Sequence, residues 1–254
     1  MNDLYKKDQY TNKNIISLFG KTIIEYDIES AGLNLMIKYK LLPEDILDKL
    51  KKLPKKHRVV EIGLLQRKYP DLKNQLNDSF KEIRKIFFEA NELERDDIIS
   101  IKKDAIFVAK ELDKTVFDNV KFKPKNIYSS YINLGSLEFY YSEDKLDIKG
   151  LSSETQKIEV HNDYMIDFIK KYFKKMEYGS KEEQLKFIRI YIDKYKKLEL
   201  DLGYYRTFNR EAVFELKNNE DGIVYSDYWE DRKDDLDISY NFNRIFIPLA
   251  KIIL

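Results

Sequence analysis

A strand pattern and a helical pattern meet within residues 22–37, which read TIIEYDIESAGLNLMI. The first seven of these residues are rich in β-branched side chains and predict a short β-strand. From residue 30 onward the apolar residues have the spacing of a helix. The sequence therefore predicts a strand that leads directly into a helix, with Asp27 at the end of the strand.

A β-hairpin is predicted in residues 98–108, which read IISIKKDAIFV. Its two apolar runs flank Lys102, Lys103 and Asp104, so the turn is expected near the lysines. If the strand that ends at Asp27 pairs with this hairpin in one sheet, Asp27 and Asp104 converge although they are about 77 residues apart.

Helical patterns lie on both sides of these strands, because their apolar residues recur every three or four positions. The predicted helices cover residues 43–53, 70–93, 164–176 and 181–198, and two further strands are predicted at 137–141 and 146–148. The predicted fold class is α+β, with an antiparallel sheet covered by helices and a mainly helical C-terminal part. A domain boundary is expected near residues 151–160.

The composition restricts the kind of site that the chain can hold. The 254 residues include 46 Lys and Arg against 45 Asp and Glu, so a nucleic-acid-binding surface would have to be a local basic face. With no cysteine and two histidines, any metal would have to be held by carboxylates. The sequence lacks a secretory signal and a run of about 18 apolar residues. We therefore expect a cytoplasmic protein with no membrane partner.

Two carboxylates from neighbouring strands are the minimum for phosphoryl transfer with two divalent cations about 4 Å apart. Asp27 and Asp104 meet this minimum if their strands pair. Each also has an ordinary structural interpretation, since an aspartate after a strand can cap the next helix and an aspartate in a hairpin can be a turn residue.

Four segments resemble motifs of the family B DNA polymerases. Residues 26–30, YDIES, are similar to the first palm motif, D-x-x-S-L-Y-P, and residues 73–77, KNQLN, to the fingers motif, K-x-x-x-N-S-x-Y-G. Residues 103–108, KDAIFV, resemble the second half of the second palm motif, D-T-D-S followed by apolar residues. Residues 140–151, YYSEDKLDIKGL, look like the strand pair that leads from palm to thumb. The chain thus resembles a miniature, partly degenerate palm of the phage or mobile-element type.

The resemblance implies a role for each matched residue. Asp27 and Asp104 would be the catalytic pair that holds two Mg²⁺ or Mn²⁺ ions, Lys73 would contact the triphosphate of an incoming nucleotide, and Asn77 would line its pocket. The nucleotide-binding residues would be Lys73, Asn77, Ser30 and Gly32. The residues that bind nucleic acid would be Lys102, Lys103, Lys121, Lys123 and Lys149.

Two positions depart from the family pattern. Lys102 stands where the family has the first aspartate of its second palm motif, and an ammonium near Asp104 would favour the ionised carboxylate but oppose a dication. Gly32 stands where the family has a tyrosine that screens out ribose by crowding the 2′-hydroxyl, so sugar discrimination is left open.

The resemblance also implies a domain organisation. Residues 1–155 would form a palm-like domain with a short helical fingers-like insertion at 41–93, and residues 156–254 a mainly helical, thumb-like region. The basic residues 121–125, followed by Tyr128 and Tyr131, could track phosphates and stack bases, or could be a solubilising surface.

Three functions are left open by the sequence. The first is a template-directed, palm-type nucleotidyltransferase of DNA replication that uses two divalent metals. The second is a catalytically inactive, polymerase-like protein that binds nucleic acid or docks to a partner supplying the missing domains. The third is a virus-encoded modulator of a host factor, which would act in the host cytoplasm.

Overall fold

The chain forms two compact units, each with its own antiparallel sheet and helices. The computed structural model describes residues 3–143, 145–150, 159–200, 204, 216–219, 222–225 and 242–254. The first unit consists of residues 3–15 and 21–128, and the second of residues 16–20 and the described residues from 129 onward. The predicted α+β class is confirmed. The domain boundary expected near residues 151–160 falls mostly on residues 151–158, outside the described part of the chain.

Strands and helices occur in separate runs along the chain, which also has short 3₁₀ helices at Asp3–Lys6 and Arg95–Asp97 and a π-helix at Phe242–Phe246. In chain order the elements are β1 (Gln9–Thr11), β2 (Ser17–Leu18), β3 (Ile23–Ile28), α1 (Ala31–Lys38), α2 (Glu44–Lys52), α3 (Lys55–Lys68), α4 (Leu72–Ala90), β4 (Ile98–Lys102), β5 (Ala105–Val108), β6 (Val116–Phe117), β7 (Val120–Tyr128), β8 (Ser130–Asn133), β9 (Glu138–Ser142), β10 (Lys145–Lys149), α5 (Glu159–Tyr178), α6 (Lys181–Lys196), β11 (Leu216–Asn219), β12 (Gly222–Tyr225) and α7 (Ile247–Ile253).

The first unit is built on a sheet of strand order β1-β4-β5-β3-β7-β6, in which all neighbours are antiparallel. One face of this sheet packs on α4 through aromatic rings. Tyr26 of β3 lies 5.9 Å from Phe87 of α4, and Phe87 stacks on Phe122 of β7 at 4.0 Å between ring centroids. Because side chains alternate along a strand, Glu25 and Asp27 lie on the face opposite Tyr26.

The long helix α4 has the amphipathic pattern that the sequence predicts. Its buried side includes Leu76, Phe80, Ile83 and Phe87. The hairpin of β4 and β5 is also confirmed, with Lys102 opposite Ala105 and the turn at residues 103–104.

Helix α3 was not predicted, because residues 55–65 look like a basic stretch followed by a short apolar run. The helix follows Pro54, whose fixed φ suits the position before a first turn. Its apolar residues lie on more than one side, since Leu65 is buried whereas Val59 and Val60 are exposed. A helix without a single apolar face lacks the periodicity that reveals helices in a sequence.

The strands β7 and β8 were also missed, and their structure corrects one prediction. Phe122, Tyr128 and Tyr131 are all buried, so these rings cannot stack bases as proposed for the stretch around residues 121–125. The alternation of buried Val120 and Phe122 with exposed lysines is the period of two that marks a strand with one covered face.

The second unit has a sheet of order β10-β9-β8-β2 and a separate hairpin of β11 and β12. Tyr141 of β9 stacks on Phe173 of α5 at 5.0 Å between ring centroids, which joins sheet and helix. Helices α5 and α6 pack as a hairpin, and Tyr172 of α5 donates a hydrogen bond to the Leu249 carbonyl of α7 at 2.8 Å. Within the described residues, no helix is long and apolar enough to cross a bilayer.

Candidate active site

The sheet of the first unit brings Asp27 and Asp104 to the same end of adjacent strands. Asp27 lies on β3 directly opposite Ala105 of β5, and Asp104 is the residue that precedes Ala105. The Ile28 amide donates a hydrogen bond to the Asp104 carbonyl at 3.3 Å, so the backbones are joined beside both side chains. Two acids that are distant in sequence therefore lie side by side.

The two carboxylates are close enough to influence each other. Burial, and after it the negative charge of Asp27, raise the pKa of Asp104 above its ordinary value. The lysines Lys103 and Lys125 act on the same carboxyl in the opposite direction. A buried carboxyl whose pKa is raised next to a second carboxylate is typical of catalytic and metal-binding sites, although ion-pair networks produce it too.

Lys125 is the cation of this site, and the sequence analysis did not identify it. Its Nζ lies 3.2 Å from Asp27 Oδ2 and 3.7 Å from Glu25 Oε1, and its side chain is 54% exposed. Although desolvation opposes it, the hydrogen bond to Asp27 and the charges of the surrounding carboxylates raise the pKa of Lys125. The ammonium therefore stays charged and partly neutralises the pair.

The position of Lys125 depends on an irregularity in the sheet. The pairing of β3 with β7 shifts register between Glu25 and Tyr26, so Asn126 faces Glu25 while Lys123 faces Asp27. Such bulges re-aim side chains next to functional sites. The sequence feature that could have indicated the position of Lys125 is the recurrence of lysine at every second residue, Lys121, Lys123 and Lys125, along β7.

Glu25 is a buried carboxylate whose hydrogen bonds are made within the sheet. It accepts one from Asn126 Nδ2 at 2.5 Å and one from the Tyr128 hydroxyl at 3.2 Å. These bonds compensate for the cost of burying the carboxylate. Glu25 is therefore fixed next to the carboxylate pair, where Lys125 contacts it as well as Asp27.

Of the five predicted nucleic-acid-binding lysines, Lys103 adjoins Asp104 and acts on its carboxyl, whereas the contacts described for the other four lie elsewhere. Lys102 Nζ donates a hydrogen bond to Thr11 Oγ1 at 3.2 Å, and Lys123 forms an ion pair with Glu29 at 2.6 Å. Lys121 is exposed on β7, while Lys149 lies on β10 of the second unit. The cations that act on the carboxylates are Lys125 and Lys103.

Helix α4 connects the turn that carries Asp104 with the predicted nucleotide-binding residues. Lys103 Nζ lies 5.9 Å from the centre of the Phe80 ring on α4. Positions 73, 77 and 80 share one side of a helix, since residues three, four and seven apart lie one above the other. Lys73 is exposed and Asn77 half-buried, about 10 Å or less along the helix from Phe80.

Ser30 and Gly32 lie where β3 passes into α1. Ser30 has the left-handed backbone angles φ 46° and ψ 45°, which are strained for a residue other than glycine. Its hydroxyl accepts a hydrogen bond from Arg58 Nη1 of α3 at 3.3 Å. At Gly32 an added Cβ would lie 3.3 Å from Ile62 Cδ1, so the glycine allows α1 and α3 to approach closely.

Arg58 is the second residue that the sequence analysis did not connect with this site. Besides the bond to Ser30, it donates from Nη2 to the Leu53 carbonyl at 3.0 Å. Its buried Nε has no hydrogen-bond partner among the described residues. Buried donors in folded proteins are generally paired, so this Nε is an exception.

The residues present fit a divalent cation that takes part of its ligands from a substrate. In the described part of the chain, no three or more Asp, Glu, His or Cys residues form a metal-binding group. The site has the pair Asp27 and Asp104. Mg²⁺ is commonly held by one or two carboxylates, with water and substrate phosphates as the other ligands. The Lys125 ammonium would have to withdraw from Asp27 to leave that oxygen free.

Comparison with known proteins gives a match to one family model. The model described as "Bacteriophage PBS1 gene 130 protein" matches residues 1–253. No curated protein matches the chain.

Proposed function

The chain belongs to the family of the bacteriophage PBS1 gene 130 protein, and we propose that it is a palm-type nucleotidyltransferase that acts on nucleic acid in the host cytoplasm. The single observation that carries the proposal is the convergence of Asp27 and Asp104, from adjacent strands, into a pair in which burial and then the charge of Asp27 raise the pKa of Asp104. The phage origin indicated by the family fits a replication function.

Mg²⁺ or Mn²⁺ bound to such a pair would stabilise the charge that develops on the transferred phosphoryl group. Asp27 and Asp104 would supply the carboxylate ligands. In the reaction, a nucleic-acid 3′-hydroxyl oxygen bonds to the α-phosphorus of a nucleoside triphosphate. Pyrophosphate leaves with the electron pair of the broken P–O bond, and the hydroxyl proton passes to water.

Two cationic side chains would orient the nucleotide. Lys73, on the same side of α4 as Phe80, would reach the triphosphate as a compact point charge. Arg58 would add positive charge beside the junction of β3 and α1, where it donates a hydrogen bond to the Ser30 hydroxyl. Asn77 and Gly32 would complete the pocket.

The test is nucleotide incorporation on a primed template, with DNA and RNA primers supplied separately and Mg²⁺ or Mn²⁺ titrated. We expect metal-dependent extension, lowered at least about 100-fold in Asp27→Asn and in Asp104→Asn, because each loses a charged ligand worth several kcal/mol. Asp48→Asn is the matched control, since Asp48 is an exposed aspartate of α2 paired only with Lys51. Absence of extension by the wild type with either metal, or equal activity of the Asp27 and Asp48 variants, would overturn the proposal.

A second candidate function is favoured by the position of Lys125. An ammonium 3.2 Å from Asp27 neutralises the pair without a metal, as expected of a palm that has lost catalysis and serves as a nucleic-acid-binding or partner-docking scaffold. In that case nucleic-acid affinity is insensitive to chelator and to Asp104→Asn and decreases with salt. The extension assay and this binding assay together distinguish the two functions.

A further inference from the structure

An open cavity lies between α5 and α6 of the second unit, away from any residue assigned above. Its volume is about 400 Å³, within the range of pockets that hold small ligands. It is lined by Lys171, Lys174, Lys175, Tyr178, Glu183 and Phe187. The walls of the cavity are mostly apolar, because the aliphatic parts of the lysine side chains pack along them. The ammonium groups remain in water at the rim of the cavity.

Most of the helix pair that forms this cavity is a locally basic stretch, of the kind that a nucleic-acid-binding protein of near-zero net charge would need. Residues 166–197 contain ten Lys or Arg against five Asp or Glu, whereas the whole chain has a net charge of +1. Lys171, Lys174 and Lys175 follow each other at helical spacing and point to one side of α5. An anion that approaches this side meets three cations.

Two aromatic rings give the cavity a surface for stacking. Tyr178 is 84% exposed at the end of α5, which is unusual for so large a ring. Phe187 of α6 is half-buried and is fixed by stacking on Phe168, with 5.8 Å between ring centroids and 9° between planes. A flat, partly exposed ring beside lysines is the arrangement used to bind bases of single-stranded nucleic acid.

The loop between the helices keeps the cavity in shape. Ser180 caps α6 by accepting a hydrogen bond from the Glu183 amide, and Glu183 in turn accepts from the Ser180 amide at 2.9 Å. Gln184 Nε2 donates to the Gly179 carbonyl at 3.0 Å. A ligand therefore meets a wall that is already ordered, which lowers the entropy cost of binding.

We propose that this cavity binds single-stranded nucleic acid, with one base stacked on Tyr178 and Phe187 and the adjoining phosphates on the three lysines. The ion pairs of Lys171 with Asp167 at 2.6 Å and of Lys175 with Glu183 at 3.6 Å are about half exposed. Exposed pairs contribute little to stability, so a phosphate can replace the carboxylate. An acidic peptide would use the lysines but has no need of the exposed ring. The site does not depend on the carboxylate pair of the first unit.

The test is fluorescence anisotropy of a labelled oligothymidylate with the full chain, over a series of salt concentrations. Loss of the ring in Tyr178→Ala should weaken binding at least about fivefold, while Tyr178→Phe, which keeps the ring, should bind within about twofold of the wild type. Lys171→Ala and Lys174→Ala should each reduce the slope of log affinity against log salt by about 0.7. Lys194→Ala, an exposed lysine of α6 outside the cavity, is the matched control and should leave the slope unchanged.

Each alternative outcome contradicts the inference. No binding of the oligonucleotide at low salt overturns it directly. Equal affinity of the wild type and Tyr178→Ala, with loss in the lysine variants, would indicate a purely electrostatic surface. Competition by oligoglutamate at the same charge concentration, together with insensitivity to Tyr178→Ala, would identify an acidic peptide site. Because Tyr178 is exposed, its variants are expected to fold normally.

Discussion

At the scale of single residues, we expect Lys125 to limit how readily the carboxylate pair would accept a metal. Its ammonium lies 3.2 Å from Asp27 and competes with any cation there. Lys125→Met should therefore bind Mn²⁺ about tenfold more tightly than the wild type, a modest gain because the side chain is half exposed and its charge is screened. Isothermal titration calorimetry with Mn²⁺ measures the change directly.

Lys123→Met is the matched control for this change. Lys123 lies on the same strand with similar exposure, but it pairs with Glu29 rather than with Asp27. Its variant should bind Mn²⁺ within about twofold of the wild type. If Lys125→Met binds Mn²⁺ no better than Lys123→Met, Lys125 does not compete with the metal.

The raised pKa of Asp104 predicts a pH dependence of folding stability. A carboxyl whose pKa is higher in the folded than in the unfolded state contributes stability that is fully present below the unfolded value, near 3.8, and is lost as the pH rises through the folded value. At neutral pH the free energy of unfolding of Asp104→Asn should then exceed that of the wild type by about 0.5–1 kcal/mol, so the variant should unfold at a higher urea concentration. The difference should vanish near pH 3.8.

Asp48→Asn serves as the comparison, because the pKa of Asp48 is shifted in the direction opposite to that of Asp104. The hydrogen bond from Lys51 lowers the pKa of Asp48, so the stability that Asp48 contributes is present above its unfolded pKa and is lost as the pH falls. Its substitution should not stabilise the chain at neutral pH. A wild type more stable than Asp104→Asn at neutral pH would contradict the destabilisation attributed to the ionised Asp104 carboxyl.

The residues of the site differ in how far a sequence can reveal them. Asp27 and Asp104 could be placed next to each other because a β-branched run before the first and a hairpin around the second indicate paired strands. Lys125 could not, because its contact with Asp27 depends on a register shift within the sheet. Arg58 could not either, since it reaches Ser30 from a helix that has no apolar periodicity.

At the scale of secondary-structure elements, sequence periodicity separates what was predictable from what was not. Helix α4 has one apolar side and was found, whereas α3 is apolar on several sides and was missed. Strand β7 alternates strictly from Val120 to Phe122, but its lysines and Pro124 resemble a loop. Tertiary pairing with β3 overrides that local composition.

The loop between α5 and α6 gives a prediction at this scale. Ser180→Ala removes the side-chain cap of α6 and should lower the free energy of unfolding by about 1 kcal/mol. Ser180→Asp is the control, because its carboxylate keeps a hydrogen-bond acceptor at the N-cap and should cost only a few tenths of a kcal/mol, roughly, relative to serine. Urea denaturation followed by circular dichroism measures both. Equal losses in the two variants would show that the capping hydrogen bond is not the source of the stability.

At the scale of the whole molecule, a net charge near zero conceals a division of charge. The first unit holds its acids and lysines in close pairs, such as Lys125 with Asp27 and Lys123 with Glu29. In the second unit, which has more Asp and Glu than Lys and Arg, residues 166–197 hold ten Lys or Arg against five Asp or Glu. A chain with net charge +1 can therefore present an anion-binding surface without being basic as a whole.

This division predicts that metal binding and nucleic-acid binding can be abolished separately. Asp27→Asn should weaken Mn²⁺ binding at least about tenfold and leave the affinity for oligothymidylate unchanged, because the two sites belong to different compact units and share no residue. Tyr178→Ala should weaken the affinity for oligothymidylate and leave Mn²⁺ binding unchanged. Calorimetry with Mn²⁺ and anisotropy with the oligonucleotide, measured on both single variants and on the double variant, check this. If either single substitution weakens both ligands, the two sites do not function as separate ones and the division of roles between the units is wrong.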